Sequence, residues 1–65
     1  MSKIGQNIKK FREKMGISQD KLSKLADISS NTVAKLELGD NPNPTIETLQ
    51  KIAKALNVKV DDLIK

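Results

Sequence analysis

The sequence predicts an all-α fold, a compact bundle of five short helices. Three observations predict it. Apolar residues recur at steps of three and four along most of the chain, the spacing of helices with one buried face. Residues that start and stop helices fall between those stretches. The only alternation of apolar and polar residues, at 58–60, is too short for a strand. The 65 residues suffice for one domain, 1–65. Helices this short are marginal alone, so mutual burial has to hold them.

The elements follow in order. Ile4, Ile8, Phe11 and Met15 form the apolar stripe of a first helix, and Gly16 is its stop signal. Ser18 caps a second helix, with Asp20 in the first turn and Leu22, Leu25 and Ala26 on its inner face. Asp27-Ile28 interrupts the pattern before Ser29, a good cap for a third helix that buries Val33 and Leu36 and ends at Gly39. "DNPNP" (40–44) cannot be helix interior, because a proline disfavours the helical conformation of the residue before it. Thr45 caps a fourth helix carrying Ile46, Leu49, Ile52, Ala53 and Leu56, and Asn57 closes it. Val58, Val60, Leu63 and Ile64 mark a short fifth helix that starts at Lys59 or Val60 without a good cap. The expected core is Phe11, Leu22, Leu25, Val33, Leu36, Ile46, Leu49, Ile52 and Leu56.

Composition narrows the function classes. Without Cys or His there is no disulfide framework and no usual transition-metal site, which fits a reducing cytoplasm. No nucleophile–base pair or glycine-rich phosphate loop is present, so neither an enzyme nor a cofactor is expected. Asp61 and Asp62 are adjacent on a helix and point apart; they suit its N-terminal dipole better than a metal. No apolar run is long enough to cross a membrane, and "MSKIGQNIKK" lacks the apolar stretch of a signal peptide. A single aromatic residue, Phe11, excludes a base-stacking platform for single strands.

The net charge of +4 is uneven. Residues 1–35 set eight Lys/Arg against Glu13, Asp20 and Asp27, whereas residues 36–65 are slightly acidic. A basic N-terminal half suits a polyanion or simply a solvated surface. Lys3, Lys10 and Lys14 share one stripe of the first helix with Asn7. That stripe either faces a phosphate strand, with Lys10 and Lys14 as its contacts, or keeps the surface soluble.

Residues 18–37 are the functional candidate, two short helices joined by a tight turn. At about 100° per residue, Val33 and Leu36 fall together and the opposite face holds Ser30, Asn31, Ala34 and Lys35. Asn can bond adenine through two hydrogen bonds, Ser can serve either kind of partner, and Lys reaches guanine or phosphate. The alternative is an ordinary solvated helix face.

"SQDKLSKLA" (18–26), "SSNTVAKLELG" (29–39) and "NPTIETLQKIAKALNV" (43–58) together resemble the lambda-repressor-like helix-turn-helix family, also called the XRE family, and the resemblance runs from Ile4 to Ile64. It implies a regulator, expected to be a repressor, that binds double-stranded DNA with the third helix in the major groove. Because a module this small buries limited DNA surface, a homodimer on a palindromic operator is expected, with no small-molecule effector. The resemblance assigns phosphate contacts to Gln19 and Ser29, with Ser18 beside them, groove positions to Ser30, Asn31 and Lys35, a flanking position to Thr32 and a backbone contact to Asn43. It pairs Arg12 with Glu37 as a partly buried ion pair. An antitoxin or a restriction controller would use the same domain, and a protein-binding helical module is the rival from another class.

Three residues depart from the family pattern. Asp27 stands where glycine is common, at a place that wants a left-handed backbone; Asp tolerates that better than most residues. Asp40 stands in a loop where relatives carry a cation. Leu38 replaces a commonly polar residue. The C-terminal "VKVDDLIK" either forms a dimer face through Leu63 and Ile64 or closes the monomer core.

Overall fold

Capping chemistry sets where each helix begins. In the computed structural model, which describes residues 3–39 and 44–65, α1 spans Lys3–Lys14, α2 Gln19–Ala26, α3 Ser30–Leu38, α4 Ile46–Leu56 and α5 Val60–Ile64. No strand occurs among the described residues. Ser18, Ser29 and Thr45 lie in extended backbone, and their hydroxyls accept from the N–H groups of Lys21, Thr32 and Thr48. Each cap satisfies a donor that the helix itself leaves unpaired. Lys59 opens α5 without an accepting side chain; there Asp62 reaches back and accepts from the Lys59 N–H at 3.0 Å.

The helix ends are equally regular. Asp27, Gly39 and Asn57 close α2, α3 and α4 in the left-handed conformation. At Asp27 (φ 56°) the backbone N–H turns back to the Lys24 carbonyl, and the next N–H, of Ile28, reaches Ser23 at 2.9 Å. An aspartate thus does the work for which glycine is the usual residue.

Ile8, Leu22, Val33, Leu36, Ile52 and Leu63 are fully buried, with Ala26, Leu49, Ala53 and Leu56 around them. Phe11 packs half-buried against this core. α2 lies against α3 and α4, while α1 bridges α3 and α5. Gly5 allows the α1–α3 approach. A Cβ there would run into the Leu36 carbonyl oxygen, with the Glu37 Cα only 3.1 Å away.

Several apolar residues do not lie where the pattern placed them. Leu25 and Ile46, expected in the core, are 49% and 64% exposed, and Met15 at the end of the first stripe is 45% exposed. On α2 the inward sector runs through Leu22, Ser23 and Ala26, so Ser23 is buried in place of Leu25. Its hydroxyl donates to the Asp20 carbonyl at 2.6 Å, which removes the cost of burying it. Ile46 opens α4 and precedes the turn that meets the core. Leu63 is fully buried and closes the monomer core, which takes it out of any dimer face; Ile64 stays half exposed.

Candidate nucleic-acid interface

The turn at Asp27-Ile28 sets α3 across α2, and α3 is anchored by Val33 and Leu36. Its other face is open. Ser30, Asn31, Lys35 and Leu38 are exposed, and Ala34 is half-buried. At the start of α3 the Ser29 hydroxyl accepts from the Thr32 N–H at 3.1 Å and lies 3.2 Å from the Thr32 hydroxyl. Both hydroxyls therefore belong first to the cap, and Thr32 sits at the edge of the open face. Ser18 holds the same position at the start of α2, accepting from Lys21 at 3.0 Å.

One polar network locks the three helices around this unit. Arg12 Nε donates to Glu37 Oε2 at 2.7 Å and Arg12 Nη2 to Glu37 Oε1 at 3.0 Å, a two-pronged pair. Arg12 Nη1 donates to the Ile17 carbonyl at 2.9 Å. Gln19 Nε2 donates to Glu37 Oε1 at 3.1 Å. The Glu37 side chain is only 4% exposed and that of Arg12 13%. The hydrogen bond to Glu37 raises the Arg12 pKa above its ordinary value against the opposing pull of burial, with the charges of Glu37 and Glu13 adding to the rise. The sequence pointed to the Arg12–Glu37 pair by resemblance. It carried no signal for the third partner, Gln19, which lies 18 residues from Glu37.

The lysines of α1 divide between two flanks. Gly5 and Arg12 mark the flank toward α3. Asn7 marks the flank toward α5, where its amide donates to the carbonyls of Leu63 at 2.9 Å and Lys65 at 3.0 Å. At about 100° per residue, Lys3, Lys10 and Lys14 lie within about 60° of Asn7, whereas Lys9 lies nearer the Arg12 side. The structure thus does not bring the Lys3–Lys10–Lys14 stripe beside α3. Lys9, Lys10 and Lys14 instead line an open furrow with Gln6 and Glu13. Asn43 and Asp40 lie outside the described residues. No group of three or more potential metal ligands occurs among the described residues, and none of the helices is long and apolar enough to cross a membrane.

Residues 8–63 match the family model described as Helix-turn-helix. The chain belongs to the lambda-repressor-like helix-turn-helix family. Among its relatives in this family is the HTH-type transcriptional regulator SinR of Bacillus subtilis (strain 168), 33% identical over 61 residues, covering 94% of this chain and 55% of SinR. The immunity repressor protein of Bacillus phage phi105 is 33% identical over 61 residues, 94% of this chain and 42% of that protein. An uncharacterized HTH-type transcriptional regulator of Archaeoglobus fulgidus is 36% identical over 56 residues, 86% of this chain and 79% of its own length. The helix-turn-helix chain thus spans about half the length of SinR and most of the shorter archaeal relative.

Proposed function

We propose that this helix-turn-helix domain binds double-stranded DNA by sequence and regulates transcription in the cytoplasm, as a repressor. The observation that carries the reading is the outward face of α3. Ser30, Asn31 and Lys35 are exposed on a helix whose opposite side is fixed in the core by Val33 and Leu36. Such a helix can enter the major groove while the helix before it crosses the backbone.

The roles follow from donor chemistry. Asn31 bonds an adenine edge through two hydrogen bonds, Lys35 reaches guanine or phosphate, and Ser30 serves as donor or acceptor. Phosphates accept hydrogen bonds and cannot donate them. The N-terminus of α2, with Ser18 and the Gln19 amide, and that of α3, with Ser29, offer free N–H groups and a favourable dipole for one phosphate each. Thr32 flanks the groove, and the family resemblance gives Asn43 a contact with the DNA backbone. The function is binding alone, with no reaction and no cofactor.

A module this small buries little DNA surface. Two copies on a palindrome, with half-sites about one helical turn apart, supply the missing affinity and specificity. The repressor role is supported by the phage relative, itself named an immunity repressor. Salt titration tests the reading. Affinity for duplex should fall steeply as salt rises, with a slope of about −0.9 for each phosphate neutralised. A helical module built to bind protein would show only weak charge-driven binding, with the same affinity for every duplex sequence.

A further inference from the structure

Leu38 is 75% exposed, more than any other large apolar side chain among the described residues. Nothing in the fold asks for it. α3 is already held by Val33 and Leu36, and Gly39 ends the helix immediately afterwards. Leu25, Ile46 and Ile64 are exposed as well, but none of them lies on α3.

Its position on the helix decides what it meets. Leu38 comes seven residues after Asn31, about 20° short of two full turns, so the two side chains share a face. Lys35 lies between them on the same side. The rise from Asn31 to Leu38 is about 10 Å, or about three base-pair steps of roughly 3.4 Å. Asn31 and Lys35 present hydrogen-bonding groups on this face; Leu38 has none. It can satisfy neither a phosphate oxygen nor the nitrogen and oxygen atoms of a base edge. The major groove displays one apolar group, the 5-methyl of thymine.

We propose that Leu38 is a specificity-determining residue whose side chain covers a thymine 5-methyl group, about three base pairs from the base that Asn31 bonds. The inference rests on the reading of α3 as the helix in the major groove. It fixes the chemistry of one further operator position, where thymine is preferred for its methyl and not for a hydrogen bond.

Deoxyuridine tests this, because it pairs as thymine does and lacks only the methyl. The experiment takes an operator selected from random duplexes and replaces its thymines one at a time with deoxyuridine, binding the full chain and Leu38→Ala. Leu38 is exposed, so the variant keeps the core intact, which circular dichroism verifies. The expected result is one position in each half-site where loss of the methyl weakens the wild-type chain about four-fold and leaves Leu38→Ala unaffected. Methyl losses that weaken both chains equally, or no sensitive thymine at all, would overturn the proposal. In that case an intact dependence on Asn31 leaves the reading of α3 standing. If no operator emerges, that reading fails and the role of Leu38 fails with it.

Discussion

Gln19 Nε2 donates to Glu37 Oε1 at 3.1 Å, and the same oxygen accepts from Arg12 Nη2 at 3.0 Å. The ion pair therefore does more than join α1 to α3. It fixes which end of the Gln19 amide meets Glu37, since an amide oxygen would be repelled by the carboxylate. The nitrogen keeps a second N–H, the only kind of group with which a glutamine can hold a phosphate. The start of α2 is thus set by the end of α3, so that a clamp on the DNA backbone and the base-reading helix would move as one piece.

Removing one partner of that pair should be costly for a protein of this size. Arg12→Ala leaves the Glu37 carboxylate buried without its cation, and stability should fall by about 3 kcal/mol. Urea denaturation checks this. Replacing Arg12 and Glu37 together by apolar residues of similar volume should cost less than Arg12→Ala alone, because no charge is then stranded. Equal stability of Arg12→Ala and the wild-type chain would mean that the pair is held too loosely to matter.

Gly5→Ala should destabilise even though alanine is the better helix former. Propensity alone favours the change by about 1 kcal/mol. The added Cβ meets the Leu36 carbonyl, whose backbone cannot yield without moving α3. Overpacking of this kind costs about 1–3 kcal/mol, so a net loss is expected in thermal or urea unfolding. A variant as stable as the wild type would show that α1 and α3 can separate freely.

Asn31→Ala should relax base preference at one operator position by about 1–3 kcal/mol while affinity for random duplex stays the same. Fluorescence anisotropy on matched and single-substituted duplexes measures both. Equal losses on operator and random DNA would remove Asn31 from base reading.

Lys35 and Lys10 should separate in a salt series. Lys35 is exposed on the open face of α3, whereas Lys10 shares the flank of Asn7, which leans on α5. If Lys35 meets phosphate, Lys35→Ala should lower the slope of log affinity against log salt by about 0.9. Lys10→Ala should leave it unchanged. A lowered slope for Lys10→Ala would bring the α1 stripe back into the interface.

How far the sequence was legible depended on how local the cause was. Ser18, Ser29 and Thr45 were readable as caps because a cap depends on its own hydroxyl and the N–H three residues later. The break at Asp27-Ile28 was readable from the apolar pattern, but its left-handed backbone was legible only through the resemblance, which puts glycine at that position. Leu25 and Ser23 were not, since which residue of α2 turns inward is decided by how α3 and α4 pack on it. Leu63 illustrates the same limit: either role suited its sequence, and only the packing of α5 put it in the core. The Gln19–Glu37 contact joins two helices through a chain bend that no periodicity reports. Gly5 did carry a signal, a glycine inside an otherwise strong helix, which often marks a close backbone approach.

The most direct measurement is selection of bound duplexes from a random DNA pool with the full chain. Domain-sized recognition by two copies predicts an enriched, two-fold symmetric sequence with half-sites about 10 base pairs apart, centre to centre, and adenine at the position that Asn31 governs. A pool that stays unenriched at low salt, or enrichment that Asn31→Ala leaves unaltered, would contradict the assignment of α3 as a reader of DNA sequence.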